Sequence, residues 1–249
     1  MNKKLMILAA AVLTFAACTT KNEEKPLYIW IDASANFPDF ANSKENIERD
    51  LTKAKEVGFT DVVVDVRPTN GNVLFKSREG IPYTERRSWR GVFERTADWD
   101  YLQAFIEIGH KLGLRVHAAM NTMAGGSYSP FGSSGLLATD PSKKSWETQY
   151  NTADGIKTVD RGDSMSTIFF NPANPEVQQY LLGLIEDLAN YKDLDGIFLD
   201  RCRFAGMQSD FSEMSKNMFM EYIGVQSINW PDDVLPAGTT YWTVPKDKP

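Results

Sequence analysis

Polar side chains that could act on a sugar stand near the ends of four apolar stretches of the sequence. They are Trp30 and Asp32 on the first stretch, Asp65 and Arg67 on the second, His117 and Asn121 on the third, and Asp200, Arg201 and Arg203 on the fourth. Glycoside hydrolysis needs one carboxylic acid to protonate the leaving oxygen and a second carboxylate as nucleophile or base. Carboxylates and arginines at several strand ends suit that chemistry.

Asp200 is the best candidate for a catalytic carboxylate, and Asp65 is the second. Asp200 follows the apolar run Ile197-Phe198-Leu199, which would place it at the mouth of a strand-lined pocket. A structural ion network with neighbouring arginines is the alternative for Asp200. Asp65 and Asp32 either take part in the site or hold loops, and Asn121 either bonds a sugar hydroxyl or caps the loop that follows it.

His117 has two possible roles. Because side chains alternate along a strand, residues 117, 119 and 121 share one face, and His117 would lie deeper in the pocket that Asn121 lines. The alternative is a hydrogen-bonded core position. The chain has only 2 histidines and no cluster with metal-ligand spacing, so we expect no zinc site and no cofactor.

The elements that must position these residues alternate between strands and helices. Apolar runs predict strands at 27–33, 61–66, 114–120 and 196–200. Helical spacing of apolar residues predicts helices that begin at Asn42 or Ser43, at Asp98 or Asp100, and at Asn174, with a further helix at about 212–222. Gly58 and Gly113 are expected to end the first two helices. Repeated strand–helix units imply parallel strands.

The long connections all lie on one side of these units. The segments 67–97 and 121–173 lead from a strand to a helix, whereas the links from helix to strand are minimal. The carboxyl ends of the strands therefore carry the elaboration, as they do at the active face of barrels and open α/β sheets. Aromatic residues in these segments would either stack on sugar rings or pack the loops: Trp89, Phe93, Trp99, Tyr128, Phe131, Trp146 and Tyr150.

The number of units is half that of a complete barrel. An eight-stranded barrel needs about 250 residues, whereas four units here fill the chain to about residue 222. We interpret the fold as α/β, a TIM-like (β/α) barrel truncated to about its first four βα units, with residues 27–249 as its N-terminal part. The acid of the catalytic pair would then come from later strands.

The N-terminus predicts a lipid anchor. Lys3 and Lys4 precede an apolar run, too short to span a bilayer, that ends in Phe15-Ala16-Ala17-Cys18 and resembles a lipobox. Residues 1–17 would be the signal peptide, Cys18 the lipidated residue and 18–26 a tether; a plain secretory signal is the alternative. Lys21-Asn22-Glu23-Glu24 is similar to a Bacteroidetes surface-export tag. We therefore expect an envelope protein anchored in the outer membrane and, through this tag, exposed on the surface.

Charge and cysteine content argue against a nucleic-acid-binding protein and against a protein with an internal disulfide. The formal net charge is −6 and no basic run is visible, which argues against nucleic acid as a partner. The chain has 2 cysteines. Once Cys18 carries a lipid, Cys202 has no partner, so no disulfide is expected within the chain.

Five segments together resemble the glycoside-hydrolase-like family 10 domain. They are Asp61 to Pro68, Gly71 to Ser77, Asp98 to Asn121, Phe170 to Val177 and Leu194 to Asp200. The resemblance covers residues 27 to 230 in order. It implies a TIM-like barrel, a carbohydrate substrate and a site that contains Asp200, Arg67, Asn121 and Asn171. After Asp200 the family usually shows Tyr-x-Arg-Tyr-Pro; here Arg203 fits, but Arg201 and the missing proline alter the pocket wall.

The leading hypothesis is a glycosidase that acts on a poly- or oligosaccharide at the bacterial envelope. Asp200 would be nucleophile or stabiliser, Arg67 would orient it, and Asn121 and Asn171 would hold sugar hydroxyls. The remaining substrate contacts would come from Trp30, Asp32, His117 and Arg203. The alternatives are a non-catalytic glycan-binding lipoprotein with a degenerate barrel and a structural envelope protein without affinity for sugars.

Overall fold

The structure, a computed structural model, describes residues 25–159 and 166–239. Its strands are β1 (Tyr28–Ile31), β2 (Asp61–Arg67), β3 (Glu85–Ser88), β4 (Gly91–Glu94), β5 (Arg115–Asn121), β6 (Ala124–Tyr128), β7 (Tyr150–Thr152), β8 (Gly155–Lys157), β9 (Ser166–Phe169) and β10 (Gly196–Asp200). Its helices are α1 (Ala33–Phe40), α2 (Lys44–Glu56), α3 (Tyr101–Lys111), α4 (Leu136–Thr139), α5 (Pro175–Ala189) and α6 (Glu213–Ile223), with a 3₁₀ helix at Pro141–Trp146.

The central sheet has the order β1-β2-β5-β10, and every neighbouring pair is parallel. This confirms the four predicted parallel strands. The described strands form an open sheet, so the structure does not establish the closed barrel that the sequence predicted. The sheet is nevertheless strongly curved, because the rings of Trp30 on β1 and Phe198 on β10 lie 5.9 Å apart. Three strand spacings in a flat sheet would separate them by about 14 Å.

Capping residues fix where the predicted helices begin. Ser43 accepts a hydrogen bond from Asn46 N at 3.1 Å, and Asp100 accepts one from Gln103 N at 3.1 Å. Asn174 caps α5, and Ser212 caps α6. Each cap satisfies a backbone donor that the first turn of a helix leaves free. The predicted starts of all four helices are confirmed.

Helix α1 was not predicted. The expected first strand ends two residues early, at Ile31, and Asp32 caps a new helix by accepting a hydrogen bond from Ala35 N at 2.6 Å. Pro38 lies inside this helix, where proline is normally unfavourable, so no helix was expected there. The side chains of Phe37 and Phe40 are buried in the core and pack this helix against it.

The long connections, which we predicted as loops, contain three antiparallel strand pairs: β3 with β4, β6 with β9, and β7 with β8. Strands β3 and β4 are short and mostly polar, and β6 pairs with a strand far along the chain. Neither kind of strand has a clear local pattern of alternating hydrophobicity. These pairs lie in the connections that follow the carboxyl ends of β2 and β5.

The main core lies between the outer face of the sheet and the helices. Val64 of β2 and Val116 of β5 are fully buried together with Leu51 of α2, Phe105 of α3 and Leu184 of α5. The inner, concave face is more open, since Trp30 is 46% exposed. Among the described residues, no helix has the length and apolarity needed to cross a bilayer.

Candidate functional site

The inner face of the sheet ends in one polar residue on each of its four strands. We call Asp32, Asp65, Asn121 and Asp200 the strand-end cluster. Asn121 donates from Nδ2 to Oδ1 of Asp65 at 3.4 Å and is the register partner of Asp200. Asp32 follows β1 directly, and the amide of the next residue lies 3.4 Å from Oδ2 of Asp65. The structure therefore brings these four sequence-predicted residues together.

Asp65 is the central and most deeply buried carboxyl of the strand-end cluster, with 3% of its surface exposed. Burial raises the pKa of Asp65 to about 7, the nearby carboxylates of Asp32 and Asp200 act in the same direction, and the amide of Arg67 opposes them. Desolvation and like charges both disfavour the ionised carboxylate. Asp65 can therefore hold a proton close to neutral pH, which an exposed aspartate cannot.

Asp200 lies at the exposed end of β10. One of its carboxylate oxygens accepts a hydrogen bond from Arg201 N at 2.7 Å, and Arg201 has a left-handed backbone with φ of 46°. Asp200 forms no ion pair with any residue that the structure describes, so the alternative of an ion network with Arg67, Arg201 or Arg203 finds no support. Asp200 is an accessible carboxylate of the strand-end cluster, as is Asp32, whereas Asp65 is buried.

Arg67 is fully buried beside the strand-end cluster, but it does not bond Asp200. A β-bulge between Asp65 and Arg67 shifts the register with β5, and the guanidinium donates to the backbone oxygen of Asn121. It also lies over the ring of Phe170, 5.8 Å from the ring centroid. The observed contacts of Arg67 fix the end of β5, and none of them is with Asp200, so they lend no support to the predicted role of Arg67 in orienting Asp200.

His117 is placed away from the strand-end cluster. Its Nε2 lies 2.7 Å from Oδ1 of Asp61, at the amino end of β2, and Arg115 forms an ion pair with the same carboxylate. Burial acts to raise the pKa of Asp61, but hydrogen bonds from Arg115, Thr60 and His117 outweigh it and lower the pKa to about 2. These contacts favour the hydrogen-bonded core position, which the sequence left open for His117 beside a contact with substrate.

Asn171 also has a structural position. It is 1% exposed, donates to Oγ of Ser212 at 2.9 Å and accepts from Ala173 N at 2.9 Å. These bonds join the end of β9 to the cap of α6, so the predicted sugar contact of Asn171 is not formed by an accessible side chain. Both side-chain hydrogen bonds of Asn171 are made to the protein itself.

Trp30 and Arg203 remain available to a ligand. Trp30 lies on the inner face, one layer below Asp32, with its ring half exposed. Arg203 is exposed, donates to the backbone oxygen of Phe204 at 3.0 Å and lies over the ring of Phe169, 5.9 Å from the centroid. Neither residue contacts the strand-end cluster through a hydrogen bond in the described part of the chain.

A second polar feature adjoins the strand-end cluster and was not predicted. The hairpin of β3 and β4 faces the segment 127–134 across a cavity of about 440 Å³, which we call the hairpin pocket. Its lining is rich in hydroxyl, arginine and aromatic side chains: Ser34, Thr69, Asn70, Tyr83, Glu85, Arg86, Arg87, Ser88, Trp89, Ser127, Ser129, Phe131, Gly132, Ser133 and Ser134. Two of its lining residues, Trp89 and Phe131, were among the aromatic residues that the sequence suggested as possible contacts for sugar rings.

Among the described residues, no group of three or more histidine, cysteine or acidic side chains is arranged to hold a metal ion. Cys202 is free and exposed. The chemistry available at the carboxyl ends of the strands is therefore that of carboxyl, amide, guanidinium, hydroxyl and aromatic groups. These groups suit the binding of a polyhydroxylated ligand and proton transfer to or from it.

A parallel sheet with helices on its outer face and carboxyls at its strand ends defines the class of α/β proteins to which the barrel-type glycoside hydrolases belong. Residues 27–243 match the family described as Glycosyl hydrolase-like 10, and the chain belongs to that family. The resemblance found in the sequence is thereby confirmed at the level of the family.

Known proteins similar to this chain include one relative and two solved structures. The chain is 35% identical over 234 residues to an S-layer-related protein of Niallia circulans, covering 90% of this chain but only 14% of that protein. The structure of alpha-L-fucosidase isoenzyme 2 from Paenibacillus thiaminolyticus has a TM-score of 0.52 at 19% identity, covering 80% of this chain and 26% of that one.

The second structure is the PgaB (BpsB) glycoside hydrolase domain from Bordetella bronchiseptica. It has a TM-score of 0.53 at 16% identity and covers 79% of this chain and 50% of that chain. At these identities, both structural likenesses show the fold alone. The chain therefore shares its α/β architecture with glycoside hydrolases, and it spans a small part of the relative's length.

Proposed function

We propose that this chain acts in the hydrolysis of a glycosidic bond in a poly- or oligosaccharide. Asp200 is the carboxylate that attacks or stabilises the reacting carbon, and Asp65 is the group that holds a proton at neutral pH. The observation that carries this proposal is the contrast between two neighbouring carboxyls, one exposed and one buried with its pKa raised to about 7. Glycosidases use two carboxyl groups whose environments give them different pKa values, so that one acts as the acid and the other as the nucleophile.

The rest of the strand-end cluster supports this division of roles. Asn121 bonds Asp65 and is the register partner of Asp200, so it lies between the strands that carry the two carboxyls. The half-exposed ring of Trp30 offers an apolar surface to the C–H face of a sugar. Asp32 adds a charge beside Asp65 that favours its protonated form.

The test is the release of reducing sugar from a panel of polysaccharides and aryl glycosides. We expect Asp200→Asn to lower the rate by at least about 100-fold, since carboxylate chemistry of this kind contributes factors of that order. Asp193→Asn is the matched control, because Asp193 is an exposed aspartate between α5 and β10, at the opposite end of the strand. Undiminished hydrolysis by Asp200→Asn would contradict the proposal.

Glycan binding without turnover is the second candidate, and the 3% exposure of Asp65 favours it. Both oxygens of this carboxyl already accept hydrogen bonds from the protein, which limits its access to a leaving group. This function predicts saturable binding of oligosaccharide in calorimetry, no product, and little change on Asp200→Asn. A measurable rate of hydrolysis that depends on Asp200 excludes it.

We further propose that the protein is lipidated at Cys18 and acts at the cell envelope, anchored in the outer membrane. The support is the sequence pattern of residues 1–17, which lie outside the described residues. Labelled fatty acid should be incorporated by the unaltered chain and lost with Cys18→Ser. Cys202→Ser is the control, since Cys202 is a free exposed thiol. Equal labelling of both variants would contradict the anchor.

A further inference from the structure

The hairpin pocket has walls that the backbone holds in place. Ser127 and Ser134 exchange two backbone hydrogen bonds, of 2.8 and 3.0 Å. Gly135 has a φ of +87°, and a Cβ at this position would lie 1.8 Å from the backbone oxygen of Asn70. The segment 127–134 is thus fixed against the loop that follows β2, and only glycine allows this approach.

The charge in the hairpin pocket comes from one arginine. Arg87 is paired with Glu85. The side chain of Arg86 forms no ion pair or hydrogen bond with the described residues, and its Nη1 atom is buried without a partner. The Arg86 side chain as a whole is half-buried and lines the pocket, and a carboxylate is the ligand whose two oxygens match the geometry of a guanidinium group. The chain as a whole has a net charge of −6, so the positive charge of this site is opposite in sign to the net charge of the chain.

Tyr83 lies between the hairpin pocket and the strand-end cluster and lines the pocket. Tyr83 is 4% exposed, its side chain is hydrogen-bonded with Ser34, and it interacts electrostatically with Arg86 on one side and with Asp32 and Asp65 on the other. Ser34 itself lines the pocket and lies two residues after Asp32. The hairpin pocket and the strand-end cluster are therefore joined through Ser34 and Tyr83, so a ligand in the pocket would lie near the carboxyls.

The mouth of the hairpin pocket offers aromatic surface. Trp89 is 83% exposed and Phe131 is 38% exposed, and both line the pocket. Large exposed aromatic rings beside several hydroxyl side chains form a surface that suits an amphipathic sugar ring, with its C–H face on the aromatics and its hydroxyls on the serines.

We propose that the hairpin pocket is a subsite for a sugar residue that carries a carboxylate, so that the substrate is an acidic glycan. Arg86 binds the carboxylate, while Trp89 and Phe131 stack on the ring. This inference rests on the proposed carbohydrate function, and it names the substrate class for the same site.

The test is the binding of tetrasaccharides made of galacturonate, glucuronate or mannuronate, each compared with its methyl ester, which removes only the charge. We expect at least one acid to bind about tenfold more tightly than its ester, and Arg86→Ala to abolish this preference. Arg86→Gln should also lose it while keeping most of the side-chain volume, and thermal unfolding shows whether both variants are folded. Arg90→Ala is the control, because Arg90 is exposed at the turn of the same hairpin and does not line the pocket.

The outcomes separate this inference from the proposed function. If acid and ester bind equally, or if Arg90→Ala acts like Arg86→Ala, the acidic subsite is wrong, although Asp200-dependent hydrolysis of a neutral glycan would still stand. A preference for the acid that depends on Arg86, without any hydrolysis, supports the subsite and refutes catalysis. If no glycan of either kind binds or is cleaved, both proposals fail.

Discussion

The side-chain amide of Asn121 bonds Oδ1 of Asp65 at 3.4 Å and the backbone oxygen of Arg67 at 3.0 Å, and so joins the ends of β5 and β2. The guanidinium of Arg67 returns a bond to the backbone oxygen of Asn121. This reciprocal arrangement lies beneath the accessible carboxylate of Asp200. It makes the strand-end cluster a rigid unit whose protonation state affects the stability of the fold.

Replacing Asp65 with asparagine should change how stability depends on pH. The pKa of Asp65 is raised from 3.8 to about 7 in the folded chain, so the unfolded carboxyl ionises first as pH rises. The native protein therefore loses stability between about pH 4 and 7, by about 1.4 kcal/mol per pH unit, relative to a variant that cannot ionise. We expect Asp65→Asn to gain up to about 4 kcal/mol on the native chain across this range.

Urea unfolding of both proteins from pH 4 to 8 measures this gain. Only the pH-dependent part of the difference is informative, because the substitution also alters the bond from Ala33 N. Asp193→Asn, at an exposed position, should show a constant difference. A constant difference for Asp65→Asn would mean that its pKa is not raised.

Asp187 should contribute more to stability than its neighbour Glu186, although both bond Arg78. Asp187 is 7% exposed and accepts bonds from Ser77 Oγ at 2.9 Å, Arg78 N at 2.9 Å and Arg78 Nε at 2.6 Å. We expect Asp187→Ala to cost about 2–4 kcal/mol, because it leaves partly buried donors without an acceptor. Glu186→Ala removes an exposed ion pair and should cost under about 1 kcal/mol.

Chemical denaturation of the two alanine variants gives this comparison directly. Asp187 attaches the loop after β2 to α5, so its loss should also loosen residues 76–79 in hydrogen exchange. Similar costs for the two substitutions would show that burial does not distinguish these carboxylates.

Gly135→Ala should be far more damaging than Gly155→Ala. Both glycines have positive φ, +87° and +103°, so both variants carry a backbone cost of about 1–2 kcal/mol. Only at position 135 does the new Cβ meet another atom, the backbone oxygen of Asn70 at 1.8 Å; at position 155 nothing lies within 4 Å. We expect an extra cost of at least about 1–3 kcal/mol at position 135.

Thermal unfolding of the two variants isolates this packing effect, since the backbone cost is common to both. Gly135→Ala should also weaken binding in the hairpin pocket, because it displaces one wall. Equal melting temperatures would indicate that the segment 127–134 is not fixed against Asn70.

His117→Ala should reduce stability without affecting sugar affinity. The substitution removes the bond to Asp61 and ring contacts with Tyr28 and Phe198, each 5.6 Å between centroids. We expect a cost of about 1–3 kcal/mol. His117→Gln keeps a donor directed at Asp61 and should lose less. A fall in oligosaccharide affinity at unchanged stability would restore the substrate contact that the sequence suggested.

Local signals in the sequence were enough to predict the framework. The strands 61–67 and 196–200 are apolar runs, and the caps Ser43, Asp100 and Asn174 precede helical patterns. Such features depend on residues a few positions apart. The helix after Asp32 and the hairpin of β3 and β4 were missed, because one contains a proline and the other is polar, and tertiary contacts outweigh these weak propensities.

The sequence by itself determined that Asp32, Asp65, Asn121 and Asp200 lie at the ends of four parallel strands. Apolar runs of a few residues mark the strands, and the alternation of strands with helices along the chain implies that they are parallel. Only the tertiary structure decided that Asp65 is buried and Asp200 exposed, that His117 and Asn171 bond the protein instead of the cavity, and that Arg86 faces a pocket without a partner. Segments that are distant in the sequence decide which side chains are buried and which partners they bond. Burial and partners in turn set the free energy of ionising a carboxyl group.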